Sequence, residues 1–164
     1  MPSFSFDIVS EIDKAEMNNV FTQAEKEINT RYDFRGTAAG IDWLEDKKGF
    51  KITGDSEWQV DAVLDIVRKK LASRDQSSKV LDLSKEKVVA NLKTTWEIPF
   101  KNGLVQDLAK KIAADIRAEV PKAKPQIQGE AVRVTSASKD ELQKAISLMK
   151  AKDYDVPLQF VNYR

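Results

Sequence analysis

Apolar and polar positions along the chain repeat one pattern of elements twice. A short alternating strand ends in Ile52-Thr53-Gly54 and leads to a helix that begins after Ser56; Val134-Thr135 and Ser138 repeat this arrangement 82 residues later. In both copies apolar residues then recur at helical spacing, which predicts a helix with one buried face. These residues are Val60, Val63, Leu64, Val67 and Leu71 in the first copy, and Leu142, Ala145, Ile146 and Met149 in the second. The chain therefore contains one supersecondary unit used twice.

Polar residues predict where the helices begin. Ser56 is followed three positions later by Gln59, and Ser138 by Glu141, which is the spacing of a capping box. Ser10, with Asp13 after it, predicts the start of an earlier helix, and Asn102 is expected to cap a later one. The apolar positions of these two helices are Met17, Val20, Phe21, Ala24 and Ile28, and Val105, Leu108, Ala109, Ile112 and Ile116.

Alternating or β-rich segments between the helices predict the strands. The first is Phe4-Ser-Phe-Asp-Ile-Val9, with Phe4, Phe6 and Ile8 on one face. Further strands are expected over residues 41–44, 50–53, 80–83, 95–100 and 158–163, with a hairpin over 126–136, and residues 30–36 are expected to lead from the end of a helix into a strand. Residues 84–91 are expected to form a linker, part of which could pair with a sheet through Val88 and Val89.

Two βαββαβ units in succession predict an α+β fold. The expected architecture is two ferredoxin-like domains, similar to RNA-recognition motifs, with antiparallel sheets that carry their helices on one face. The predicted domains span residues 1–90 and 91–164.

Composition narrows the chemistry that this fold could perform. The 164 residues are 41% hydrophobic and 32% charged, a balance typical of globular domains, and they include neither cysteine nor histidine. Thiolate nucleophiles, disulfides and metal sites built from these two residues are therefore excluded. We predict no catalytic residue, metal or cofactor, and hence not an enzyme. The absence of a signal peptide and of a membrane-length apolar run predicts a cytoplasmic location.

Candidate binding residues lie on the hairpin of the second unit. Alternation directs Gln126, Gln128, Arg133 and Thr135 away from the helices. Glutamine amides can bond the edge of a base, and an arginine offers a planar fork to a phosphate. The alternative is an ordinary solvated sheet face.

Basic residues also cluster near strand ends and connections, where a crevice between the two domains could gather them around an anion. They are Arg31, Arg35, Lys93, Lys101, Lys122, Lys124, Arg133 and Arg164. Ordinary surface charge is the alternative. The chain has no glycine-rich phosphate loop.

Five segments in order resemble the YajQ family of small bacterial nucleotide-binding proteins. They are SFDIVSE at residues 5–11, TRYDFRG at 30–36, QIQGE at 126–130, VRVT at 132–135 and LQFVNYR at 158–164. The resemblance runs nearly end to end. It implies two ferredoxin-like domains in which the strand at residues 4–9 is exchanged into the second sheet.

The resemblance also implies binding without catalysis, with cyclic di-GMP, purine nucleotides or RNA as the ligand. The expected nucleotide-binding residues are Arg31, Arg35, Gln126, Gln128, Arg133, Thr135 and Arg164. Two other functions stay open: an adaptor that binds a protein partner, whose nucleotide affinity is incidental or lost, and an enzyme that processes nucleotides.

Overall fold

The structure is a computed structural model that describes residues 3–164. The helices are α1 (Lys14–Thr30), α2 (Glu57–Ser73), α3 (Gln106–Glu119) and α4 (Lys139–Ala151). The strands are β1 (Phe4–Val9), β2 (Gly40–Trp43), β3 (Gly49–Gly54), β4 (Val88–Ala90), β5 (Lys93–Pro99), β6 (Lys124–Gln128), β7 (Ala131–Ser136) and β8 (Gln159–Val161). In the described part of the chain, no helix is both long and apolar enough to span a membrane.

The chain divides into two compact units. The continuous unit is formed by Ile12–Lys101, and the split unit combines the chain up to Glu11 with Asn102–Arg164. The predicted domain boundary after residue 90 differs from this division. The reason is that β5 pairs with β3 over six residues, from Gly49 with Pro99 to Gly54 with Thr94. Residues 93–99 therefore belong to the earlier sheet.

The continuous unit contains an antiparallel sheet of order β2-β3-β5-β4 together with α1 and α2. Its strands alternate as the sequence predicts: Phe50 and Ile52 are buried, whereas Lys51 between them is exposed. The buried side chains pack with the apolar faces of both helices, including Met17 and Val63, into one core.

The split unit contains an antiparallel sheet of order β6-β7-β1-β8 together with α3 and α4. The first strand, β1, lies between β7 and β8, so it is an inner strand of a sheet whose other members come from the end of the chain. Phe6 and Ile8 have no exposed surface, and they pack with Val132, Val134 and the apolar faces of the helices. Two four-stranded antiparallel sheets with four helices confirm the predicted α+β, ferredoxin-like fold.

Two helices begin later than the sequence predicts. Asp13, not Ser10, is the N-cap of α1, because its Oδ1 accepts a hydrogen bond from the Glu16 amide at 3.1 Å. Ser10 is fully buried just after β1, and its carbonyl accepts from the Gly103 amide. The N-cap of α3 is Val105 instead of Asn102.

Only one of the two predicted capping boxes forms. The Ser56 hydroxyl accepts from the Gln59 amide at 3.3 Å, and the Gln59 side chain accepts from the Asp55 amide at 2.8 Å. The Ser138 side chain does not cap α4; its amide donates to the Ser136 hydroxyl at 3.2 Å. The two copies of the repeat therefore resemble each other more in their strands than in the way their helices begin.

Local structure differs from prediction in three connecting segments. Residues 32–36 contain a 3₁₀ turn, Tyr32–Phe34, in place of a strand. The predicted strand at 80–83 is reduced to a 3₁₀ turn, Ser78–Val80, and one bridge between Leu81 and Phe100. The expected linker includes β4, which pairs with β5 at the edge of the sheet.

Candidate functional site

The face of the split unit's sheet that points away from its core, here called the outer face, is polar. Residues that pair across neighbouring antiparallel strands project to the same side, so the register places them in rows. The central row consists of Gln126, Arg133, Asp7 and Val161. Three of these four side chains can form hydrogen bonds.

A second row, the hydroxyl row, crosses the same strands two residues away. Lys124 pairs with Thr135, and Thr135 pairs with Ser5. Ser5 and Arg164 exchange backbone hydrogen bonds of 3.1 and 2.9 Å beyond the end of β8. Two cationic side chains therefore stand at the ends of a row that has two hydroxyl groups in its middle.

Two pairs on the other side of the central row form the amide row, Gln128 with Ala131 and Val9 with Gln159. Gln128 is exposed, whereas Val9 is nearly buried. The Gln159 side-chain oxygen accepts a hydrogen bond from the Glu11 amide at 2.8 Å. That bond fixes the orientation of the Gln159 amide.

Asp7 is the centre of a hydrogen-bond network on the outer face. Its Oδ1 accepts from Arg133 Nε at 3.0 Å, and its Oδ2 accepts from Arg133 Nη2 at 3.4 Å and from Asn162 Nδ2 at 2.9 Å. The Asp7 side chain is only 10% exposed, compared with 33% for Arg133. The hydrogen bond from Arg133 is the main cause that lowers the pKa of Asp7, and the bond from Asn162 and the charges of Arg133 and Arg164 add to it against the effect of burial.

This network changes the role that the sequence suggests for Arg133. The sequence presents its guanidinium as a fork aimed at a phosphate, but in the structure two of its five N–H donors point to Asp7. Much of its positive charge is offset by the adjacent carboxylate. Arg133 can still donate from its other nitrogen, but as half of an ion pair.

Five of the seven predicted site residues lie on the outer face, namely Gln126, Gln128, Arg133, Thr135 and Arg164. The other two, Arg31 and Arg35, belong to the continuous unit. Arg31 forms a two-bonded ion pair with Asp33, at 3.0 and 2.6 Å, and lies over the ring of Phe34. Arg35 lies over the ring of Tyr32, which is 84% exposed. The structure thus does not bring all seven together in one unit.

A cavity of about 400 Å³ lies at the end of the sheet where β7 leads into α4. Its lining includes Lys122, Lys124, Thr135, Ser136, Ser138 and Glu141. The cavity adjoins the hydroxyl row, since Lys124 and Thr135 belong to both.

Sequence reasoning missed four residues of this site: Ser5, Asp7, Asn162 and, except as one of several basic residues, Lys124. A signal for Asp7 was present, because a carboxylate between Phe6 and Ile8 in an apolar strand needs a partner when that strand is buried. The partner itself lies 126 residues away and depends on strand order. Within residues 3–164, no three acidic side chains come close enough together to hold a metal ion.

Comparison with known proteins gives one consistent result. A family model described as nucleotide-binding protein YajQ-like matches residues 4–164. A protein of Nocardia farcinica named nucleotide-binding protein is 46% identical over the full length of both chains, and one of Streptomyces coelicolor is 45% identical over the full length of both. A nucleotide-binding protein of Nostoc punctiforme is 40% identical over 99% of this chain and 98% of its own. The chain therefore belongs to the family of YajQ-like nucleotide-binding proteins.

Proposed function

We propose that this protein binds a nucleotide on the outer face of the split unit. The observation that carries the proposal is that Gln126, Gln128, Arg133, Thr135 and Arg164 project from one face of one sheet. Family membership supports a nucleotide as the ligand class. Within that class we propose cyclic di-GMP, a purine nucleotide or a short RNA.

The chemistry of the face suits such a ligand. Gln126 and Gln128 each offer an amide oxygen and an amide NH₂, which can pair with donors and acceptors on a base edge. Both side chains are exposed. The charged residues of the central and hydroxyl rows are Lys124, Arg133 and Arg164 against Asp7. The positive excess favours an anion.

We place the protein among binding proteins and not among enzymes. A general acid or base works best when its pKa is near the working pH. The carboxyl group of the face, Asp7, has its pKa lowered by its hydrogen bond from Arg133, so it stays ionised at neutral pH. The other charged residues of the face are Lys124, Arg133 and Arg164. A binding protein for these ligands would act in the cytoplasm.

Titration calorimetry of the full chain with cyclic di-GMP, purine triphosphates and short single-stranded RNA tests the proposal. We expect at least one of these ligands to bind, and Gln128→Ala to weaken its binding by about 1 kcal/mol, the scale of one net hydrogen bond. Gln143→Ala, which removes an exposed glutamine from α4, is the matched control and should change nothing. Binding to none of the ligands, or equal effects of the two variants, would contradict the proposal.

A second candidate function is protein binding at the edge of the continuous unit's sheet. The edge strand β4 has one neighbour, β5, and its Val88 and Val89 are 60% and 70% exposed. Leu92, in the turn after β4, is 93% exposed. Edge strands of this kind pair with extended peptides. We therefore propose a partner that adds an extended, apolar segment to β4.

Site-specific crosslinking tests this candidate. A photoreactive residue at position 89 should give one crosslinked protein, and that protein in purified form should bind the wild type but not Leu92→Lys. Equal binding to wild type and Leu92→Lys would rule out this surface.

A further inference from the structure

We infer that the hydroxyl row binds the phosphate end of the ligand and that the amide row faces its base. This assignment rests on the proposed function and defines how the ligand lies on the sheet. It adds Lys124 and Ser5 to the binding residues and gives Arg164 a specific role. The ligand class is a nucleotide whose phosphate contributes much of the affinity.

The hydroxyl row combines cations with hydrogen-bond donors. Lys124 and Arg164 are exposed, and Thr135 and Ser5 between them are half-buried. Three strand spacings separate the two ends, about 14 Å between backbones. Long side chains can reach inward over that distance from both ends, while the hydroxyl groups can donate from below. A phosphate needs this combination of cations and donors.

The central row is less suited to a phosphate than the hydroxyl row. Asp7 holds Arg133 through two hydrogen bonds, so an anion placed there would face a carboxylate as well as a guanidinium. No such partner is paired with Lys124 or Arg164 in the ion pairs of residues 3–164. Arg164 also lies near enough to Asp7 to lower its pKa. Asp7 therefore offsets more of the charge of Arg133, to which it is hydrogen-bonded, than of Arg164, and Lys124 and Arg164 are the better anchors.

The hydroxyl row also adjoins a cavity that can hold part of a ligand. The cavity next to Lys124 and Thr135 has a volume of about 400 Å³, within the usual size range of ligand pockets. It gives additional phosphate groups room beyond the row. Its Lys122 adds a positive charge, and its Glu141 adds a negative one.

The position of the amide row fits the other end of the same ligand. Ser5 and Val9 are four residues apart on β1, about 13 Å along the strand. The Gln128 side chain is exposed there, and the Gln159 amide is oriented by its bond from the Glu11 amide. A nucleotide lying along the strands would thus meet cations at one end and amides at the other.

The test compares ligands with and without phosphate on the full chain. Calorimetry would measure purine nucleosides, their 5′-triphosphates and cyclic di-GMP against wild type, Lys124→Ala, Arg164→Ala and Lys150→Ala. Lys150 is an exposed lysine of α4 and serves as the matched control. Thermal melts would show whether each variant is folded, and Lys124→Arg would restore the charge at the row.

We expect Lys124→Ala and Arg164→Ala each to weaken the phosphate-bearing ligand about tenfold to a hundredfold, the range for a hydrogen bond to a charged group. Lys150→Ala should stay near the wild type, Lys124→Arg should recover part of the affinity lost in Lys124→Ala, and any nucleoside binding should be unaffected. Full affinity in folded Lys124→Ala and Arg164→Ala would overturn the assignment while leaving nucleotide binding intact. Wild type that binds none of the ligands would overturn both.

Discussion

Arg133 and Asp7 form a two-bonded ion pair across neighbouring strands, with Nε to Oδ1 at 3.0 Å and Nη2 to Oδ2 at 3.4 Å. The Asp7 side chain is only 10% exposed, so the pair supplies a hydrogen-bonded counter-charge to a carboxylate that is largely buried. Removing one partner of such a pair costs more than the pair contributes, because the other is left unsatisfied. The pair is therefore as much part of the fold as of the site.

The pair makes stability depend on pH. The hydrogen bond from Arg133 is the main cause that lowers the pKa of Asp7 in the folded protein. Its stabilisation is fully present above the unfolded value of about 3.9 and is lost as pH falls through the lower folded value. Asp7→Asn removes this titration and should lower the free energy of unfolding at pH 7 by about 1 to 3 kcal/mol.

Urea unfolding of wild type and Asp7→Asn at pH 7, 5, 4 and 3 measures this effect. The difference between the two proteins should be constant from pH 7 to 5 and shrink below about pH 4. A difference that stays the same down to pH 3 would show that Asp7 does not stabilise the fold as a carboxylate.

Phe6 should be essential to the split unit alone. It has no exposed surface in β1, whereas Phe4 in the same strand is half-buried. Phe6→Ala should cost about 3 to 5 kcal/mol and Phe4→Ala less. Deletion of residues 1–9 should remove the inner strand and unfold this unit.

The three tryptophans make that deletion easy to follow, because Trp43, Trp58 and Trp96 all lie in the continuous unit. Tryptophan fluorescence should keep a cooperative thermal transition in the deletion variant, while circular dichroism loses the signal of α3 and α4. Retention of the full helical signal would contradict the role assigned to β1.

Tyr154 should give the protein a sensitivity to alkali. Its hydroxyl donates to Asp115 Oδ2 at 2.6 Å, and burial, followed by this hydrogen bond, raises its pKa. An unfolded tyrosine ionises near pH 10, so above that pH the unfolded chain releases a proton that the folded chain keeps. Stability should therefore fall as pH rises above about 10.

Tyr154→Phe should lose about 1 to 2 kcal/mol at neutral pH and should lack that alkaline decline. Guanidinium unfolding between pH 8 and 10.5 measures both, with Tyr163→Phe as the control, since Tyr163 is 62% exposed. Parallel declines in wild type and Tyr154→Phe would assign the alkaline effect to other groups.

Substitution of two glycines compares the cost of steric crowding with the cost of backbone strain. A Cβ on Gly49 would lie 2.5 Å from Pro99 Cα and closer still to the Ile98 carbonyl oxygen on the paired strand. Gly36 has a φ of +74° but open space around it. Gly36→Ala should cost about 1 to 2 kcal/mol, the cost of a left-handed alanine. Gly49→Ala should cost more, because β3 and β5 must separate; equal melting temperatures would contradict this.

Local pattern was enough to predict the architecture. Apolar spacing located the buried faces of all four helices, except that Val105, the N-cap of α3, is 67% exposed; alternation identified the inward residues of β1, β3 and β7. These signals are local, since a strand or helix has a fixed period. The same reasoning correctly directed Gln126, Gln128, Arg133 and Thr135 to the outer face.

The predictions that differ from the structure concern features that depend on contacts between segments distant in the sequence. Nothing near Arg133 in the sequence indicates that Asp7 will lie beside it, because alternation determines the face of a side chain and not its neighbour on the next strand. Ser10 resembles a helix cap locally, but it is fully buried directly after β1, and Asp13 is the N-cap instead. The pairing of β5 with β3 likewise moved the boundary from residue 90 to Lys101.

The place of β1 in the chain has a consequence during synthesis on the ribosome. Residues 12–101 can fold as soon as they emerge, whereas β1 must wait for β7 and β8, whose residues are made more than 120 positions later. At about 5 to 20 residues per second, that wait is roughly 8 to 30 s. During it Phe6 and Ile8 are displayed on an unpaired strand, a form of segment that chaperones recognise. The nascent protein should therefore depend on such assistance more for its first nine residues than for the ninety that follow.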